Sequence, residues 1–152
     1  MAHVAYESDY YGWTQEQAAL LREGRINQLD LQNLAEEIED MGKAAKRSLR
    51  SHLHVLLAHL LKWEYQPHYP YKRSWELTID EQRDSIIDLL ADNLGLTPKI
   101  PELTAFAYRS ALRSAEKETG LPQKTFPKEC PWGFEQMTNF DYWPGLKESD
   151  DK

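Results

Sequence analysis

Cysteine is almost absent: Cys130 is the only one in 152 residues, so no intramolecular disulfide can form, as expected of a reducing compartment. No uninterrupted apolar segment approaches the roughly 20 residues that span a bilayer. The first residues, MAHVAYESDYYGW, lack the basic start and apolar run of a secretion signal. Together these absences lead to the expectation of a cytoplasmic protein without membrane attachment. Basic charge is also scarce, with 18 Lys and Arg against 25 Asp and Glu and a formal net charge of −7. That balance disfavours a broad phosphate-binding surface, and hence nucleic acid as a partner, and it repels anionic membranes. No repeat, low-complexity tract or Gly/Ser linker interrupts the chain, so a single domain over 1–152 is expected. Its 41% hydrophobic and 28% charged residues are an ordinary globular mix. That length buries a core without a disulfide or metal staple.

Strand patterning is missing as well, because no segment sustains a period of two. The fold class expected is therefore all-α, a compact helical bundle with one long central helix and aromatic N- and C-terminal arms. Tyr6–Trp13 reads as a packed aromatic arm. Thr14 and Gln17 form a capping box, which predicts a helix over 14–23 that stops at Gly24. Asp30 caps a second helix over 31–65. Spacing residues at 100° places Leu31, Leu34, Ala35, Ile38, Met41, Gly42, Ala45, Leu49, Leu53, Leu56 and Leu60 on one inward face. Gly42 costs only about 1 kcal/mol in a helix, and the stripe keeps its phase there. One continuous helix is expected, with a break at Gly42 as the alternative. Pro67 and Pro70 impose a loop. Ser74 then caps a helix over 75–93, with Trp75, Ile79, Ile86, Leu89 and Leu90 inward. A further helix over 101–119 carries Leu103, Phe106, Ala107 and Leu112 and closes at Gly120. Pro131 starts a short helix, WGFEQMT, before the aromatic ending FDYWPG.

The stretch SHLHVLLAHLLKWEYQPHYPYKRSW, from Ser51 to Trp75, holds four of the five histidines. His52 and His59 stand two turns, about 10 Å, apart on a helix. Zinc ligands lie about 2.0–2.1 Å from the ion, so this pair cannot chelate one, and His54 points elsewhere. Neither HxxxH nor ExxH occurs, and no metal or cofactor is assigned. Arg47 and His52 match a short arginine–histidine pattern of some helical ribonucleases, in which histidine is the acid/base and arginine holds phosphate. The polar asparagine or aspartate that strengthens that pattern is absent. His59 sits at the edge of the apolar face beside Leu56 and Trp63, and a hydrogen-bonded core-edge role is favoured over catalysis. The acidic cluster Glu36, Glu37, Glu39 and Asp40 reads first as a solvated face near a helix N-terminus, and second as a docking surface. Trp63, Tyr65, Tyr69, Tyr71 and Trp75 surround Lys62, Lys72 and Arg73. Such a mixture stacks bases and holds phosphates, or else anchors a loop through cation–π contacts. The prolines and the acidic balance favour the second.

Several segments taken in order resemble a bacterial family known as domain of unknown function 29. They are YESDYYGW (Tyr6–Trp13), LDLQNLAEEIEDMG (Leu29–Gly42), LLAHLLKWEYQP (Leu56–Pro67), RSW (Arg73–Trp75) and ETGLPQKTFPKECPW (Glu118–Trp132). The resemblance implies an all-helical fold and brings no assigned activity. Its pattern falls on Asp9, Trp13, Asn33, Glu36, Glu37, Glu39, Asp40, Gly42, His59, Lys62, Trp63, Gln66, Pro67, Arg73 and Trp75. From these come the binding-surface candidates Asp9, Trp13, Glu39, Lys62, Trp63, Gln66, Arg73 and Trp75. The favoured expectation is a non-enzymatic helical module that binds another protein or its own copy. The alternative is an enzyme acting on nucleic acid or phosphate through His59 with Glu36, Glu37, Glu39 and Asp40, with or without a metal. At physiological salt the purified protein is expected to bind neither duplex DNA nor generic RNA below about 1 μM. A steeply salt-dependent submicromolar affinity in a filter-binding titration would refute this.

Overall fold

Asp9 starts the first helix, five residues ahead of the capping box at Thr14. Its carboxylate accepts the Gly12 N–H at 2.9 Å, so the aromatic segment from Tyr10 onward is helical rather than an extended arm. The Thr14 hydroxyl turns inward instead and donates to the Tyr11 carbonyl at 2.7 Å. A computed structural model describes residues 3–145. Its helices are α1 (Tyr10–Arg22), α2 (Leu31–Tyr65), α3 (Lys72–Asp92), α4 (Ile100–Thr119) and the short α5 (Phe134–Met137). Single 3-10 turns at Ile26–Gln28 and Gln123–Thr125 and a longer one at Leu94–Lys99 connect them. Among the described residues every regular element is helical, and the fold is all-α.

The remaining boundaries follow from local chemistry. Lys72 opens α3, so Ser74 lies inside the first turn, donating its hydroxyl to the Tyr71 carbonyl at 2.9 Å rather than capping. Pro101 occupies the first turn of α4, where its missing N–H costs nothing. Gly120 ends α4 in the left-handed conformation, φ 76°, which side chains disfavour. Gly42 does not interrupt α2, which runs unbroken for 35 residues. The expected short helix after Pro131 shrinks to the single turn of α5. No described helix is long and apolar enough to cross a membrane.

The chain contacts cluster into two units, Met1–Ala44 and Ala45–Lys152, which are described separately. In the second unit α2 supplies the leucine seam of the core: Leu49, Leu53, Leu56, Leu57, Leu60 and Leu61 are all fully buried. Each such leucine contributes about 1.5–3 kcal/mol relative to exposure. Ile79 and Ile86 of α3 join them. On α4 the small residues Ala107, Ala111 and Ala115 repeat every four positions and are completely covered, which permits close backbone approach. Phe106 was expected inward but is 43% exposed, its ring covered instead by the guanidinium of Arg50 at 4.3 Å. Two histidines tie helices together. His52 Nδ1 meets Gln82 Oε1 at 2.7 Å across to α3, and Ser114 Oγ of α4 meets His54 Nε2 at 3.0 Å.

The largest fully buried side chain in this unit is a cation, which hydrophobic patterning does not reveal. Arg83 has no solvent exposure. Its Nε donates to the Met137 carbonyl and an Nη to the Tyr142 carbonyl, both at 2.8 Å, while the guanidinium lies 5.0 Å from the Trp143 ring. The carboxylate of Asp80 stands 3.7 Å away without a hydrogen bond. Arg83 therefore holds the segment Met137–Trp143 against α3. Burial pushes its pKa down, but an arginine stays charged at any ordinary pH.

The first unit is smaller. Trp13 and Leu20 are buried, and Gln17 beside them accepts the Asp30 N–H at 2.8 Å. Only part of the apolar stripe on α2 is covered here. Leu34 is half-buried, whereas Leu31, Ile38 and Met41 lie open to solvent, with Met41 70% exposed. The expected inward face thus stops being a core face below Ala45. Inside the first unit only α1, 13 residues long, is available to cover it.

Arg83→Ala should destabilise the fold by about 3 kcal/mol or more, because it strands two carbonyls and removes the clamp on the C-terminal segment. Urea unfolding measures the loss, and amide exchange should rise first at 138–145. An unfolding midpoint equal to wild type would show that the clamp does not hold the segment.

Candidate functional site

In the first unit, a hydrogen-bond network accounts for several of the site residues expected from sequence. Glu37 of α2 accepts the hydroxyls of Tyr6 and of Tyr10, the latter at 2.6 Å. The two phenols hold the Glu37 carboxyl below its ordinary pKa, and the carboxylate in turn raises Tyr10 and pushes Tyr6 up to about 12. Tyr6 packs edge-on to Trp13 with centroids 4.8 Å apart. Trp13 Nε1 donates to Asp30 at 3.0 Å, and Asn33 donates to the same carboxylate oxygen at 2.8 Å. Those hydrogen bonds hold the Asp30 carboxyl below its usual range despite partial desolvation. Trp13, Asn33 and Glu37 therefore help join α1 to the start of α2, whereas Asp9 caps α1 itself. Trp13 is buried and offers no accessible surface, contrary to its place among the surface candidates.

Three acidic residues remain without such partners. Glu36, Glu39 and Asp40 are exposed and make no hydrogen bond or ion pair among the described residues. On the α1 side of the same helix, Ile38 and Met41 join Leu34, Leu21 and Tyr10 around a shallow groove of about 280 Å³, with Glu37 on its wall. Asp40 is near enough to Tyr10 to help raise that phenol. Charge is distributed unevenly along the chain. Residues 1–44 carry nine carboxylates and only three cations, Arg22, Arg25 and Lys43, so −6 of the net −7 belongs to this unit. An exposed apolar groove and concentrated negative charge therefore occur on one small unit.

The second unit treats its site candidates differently. His59 is half-buried, and its Nδ1 donates to the Val55 carbonyl 2.8 Å away, one turn back on its own helix. The hydrogen bond expected of this core-edge histidine is thus made within α2 and not to another element. Desolvation, reinforced by the positive charge of Lys62, lowers the His59 pKa, so the ring is neutral at pH 7. The charged or titratable groups that act on it are Lys62, Glu118 and His54. The carboxylates Glu36, Glu37, Glu39 and Asp40 belong to the other unit. Among the described residues no three His, Cys, Asp or Glu side chains converge as metal ligands. Lys62 is only 6% exposed, its ammonium 3.4 Å from Glu118 and 5.1 Å from the ring centroid of Trp75, itself buried.

The aromatic–basic segment is packed onto itself. Lys72 lies 4.2 Å from the Trp63 ring, Trp63 stacks near Trp143, and Tyr69 is parallel to Trp75 at 4.3 Å. Gln66 donates to the Thr119 carbonyl at 3.4 Å, and Arg73 pairs with Glu76 at 3.0 Å. Lys62, Trp63, Gln66 and Trp75 are thus occupied within the fold, and Arg73 alone of this group is fully exposed. Of the rings a stacking surface for bases would use, Trp63, Tyr65 and Trp75 are engaged by neighbouring side chains, while Tyr69 and Tyr71 are exposed.

A model of the family described as Domain of unknown function DUF29 matches residues 5–143. The chain belongs to that family. No curated protein and no solved structure matches it. The description of the DUF29 family names no activity, so function must be argued from the surface itself.

The histidines generate a pH prediction. His59 and His54 both have pKa values lowered mainly by desolvation, so the unfolded chain binds more protons than the native one near their ordinary pKa. Their contribution is intact above about pH 6.5 and is lost as pH falls through the lowered native values. His59→Gln should be about 1 kcal/mol less stable at pH 7.5, yet lose stability less steeply between about pH 6.5 and 5. His52→Ala should cost about 1 kcal/mol through the lost Gln82 bond. Zinc or manganese should leave the wild-type melting temperature unchanged. Chemical denaturation across pH tests the slope, and parallel slopes would refute the account.

Proposed function

We propose that this DUF29 protein is a non-enzymatic helical module of the cytoplasm that binds a protein partner through the groove of its first unit. One observation carries the proposal: Leu21, Ile38 and Met41 are half or more exposed around a groove on a unit of net charge −6. Water contact with such side chains is unfavourable by about 25 cal/mol per Å², and exposed apolar grooves rimmed by charge recur at helix-docking sites. The partner that fits is an amphipathic helix with apolar anchors at i, i+3 or i+4, and i+7 and with lysine or arginine on its flanks. Negative charge on Glu36, Glu39 and Asp40 speeds its approach and rejects acidic competitors. A second copy fits less well, since two units of charge −6 repel. The lone cysteine is the support for a reducing compartment.

A labelled 18-residue Leu/Lys amphipathic helix should bind with a Kd of about 10 μM or tighter at low salt. A scrambled peptide of equal composition should bind at least about tenfold more weakly. The double variant Ile38→Glu with Met41→Glu should abolish binding without unfolding the chain, because both side chains are solvent-exposed. Raising salt from about 0.05 to 0.3 M should weaken it further. Equal affinity for the scrambled peptide would reduce the effect to bulk charge and overturn the groove. A wild-type dimer in sedimentation that the double variant dissolves would assign the groove to self-association instead.

A further inference from the structure

The second unit contains a deeper cleft that no sequence motif announces. One side is the outer face of α4, where Ile100, Thr104 and Tyr108 follow at four-residue intervals with Ala105 between them. Trp132, Phe134 and Met137 of the C-terminal segment form the other side. Its volume is about 620 Å³, within the range of small-molecule sites. One hydrogen bond keeps the sides together, from the Tyr108 hydroxyl to the Pro127 carbonyl at 2.6 Å, while within the C-terminal side the Cys130 thiol donates to the Trp132 carbonyl at 3.4 Å. Those polar atoms are used internally. Thr104 differs, because its hydroxyl is sealed from solvent and has no hydrogen-bond partner. Buried hydroxyls are ordinarily paired.

Charge at the rim narrows the ligand. Arg109 and Lys128 line the cleft and form no ion pair among the described residues, although Arg109 lies 5.5 Å from the Phe106 ring. Glu129 on the same rim is likewise without an ion pair and leaves the mouth with one net positive charge. A cationic head group meets two like charges there, and a dianion meets Glu129. We infer that the cleft between α4 and the C-terminal segment binds a small hydrophobic monocarboxylate, its apolar body against Ile100, Ala105 and Phe134 and its carboxylate at Arg109 and Lys128. The inference is independent of the protein-binding groove, which lies on the other unit.

Octanoate, 1-octanol and octylamine are suitable probes, read by calorimetry and by the melting temperature of the full chain. Octanoate should bind tightest and raise the melting temperature most, since it alone satisfies both the walls and the rim. Arg109→Gln with Lys128→Gln, both at the rim and outside the core, should weaken octanoate by about tenfold or more and leave 1-octanol unchanged. Ala105→Trp fills the cleft and should remove binding of both. Octanoate no tighter than octylamine, undiminished binding to the rim variant, or no binding up to about 5 mM would each overturn the assignment. The rim variant keeps the test decisive if Ala105→Trp fails to fold.

Discussion

A guanidinium inside a leucine core is costly unless most of its donors are satisfied. Arg83 bonds through Nε and one Nη, while the other Nη stands 3.7 Å from Asp80 without a hydrogen bond. Its hydrogen bonds reach the carbonyls of Met137 and Tyr142, so the segment after α5 must lie against α3. That placement brings Trp143 over the guanidinium and against Trp63, while Trp132 and Met137 enter the core. Removing the cation leaves oriented carbonyls facing an apolar interior, a larger loss than any one leucine contact. Met137, whose carbonyl takes one of these hydrogen bonds, also lines the cleft beside α4, so the buried charge and that cleft meet at one residue.

Helix α2 shows how one periodic stripe serves two purposes. From Leu49 onward it is enclosed, and its leucines form the core of the second unit. Before Ala45 the stripe keeps its phase but faces a shorter helix, leaving Ile38 and Met41 in water. A hydrophobic surface retained in that position, on a unit holding nearly all the net negative charge, is what a docking helix requires. Glu37 is not free to take part in that electrostatic attraction in the way Glu36, Glu39 and Asp40 are. It is occupied by Tyr6 and Tyr10.

Sequence was informative wherever local chemistry decides the outcome. The all-α class, the uninterrupted course of α2 through Gly42, the loop at Pro67 and Pro70 and the stop at Gly120 all follow from periodicity and backbone preference. Helix starts were less legible, because Asp9 and Thr14 are both acceptable caps and the choice depends on where the aromatic arm packs. The candidate site was legible as composition but not as roles. Asp9, Trp13 and Glu37 stood out, yet Asp9 caps α1 while Trp13 and Glu37 join α1 to α2. The cleft beside α4 was invisible, since its two sides come from segments separated by the second half of α4 and a loop.

What the sequence by itself determined is the set of helices, the place of their apolar stripes and the concentration of acid in the first 44 residues. Those properties arise from interactions between near neighbours or from counting. Tertiary structure alone decided that Arg83 is buried and Phe106 is not, that His59 bonds its own helix, and that Ile38 and Met41 remain open. Each of those outcomes depends on which surface another part of the chain brings alongside. Periodicity states which side of a helix is apolar, but not whether anything is there to cover it.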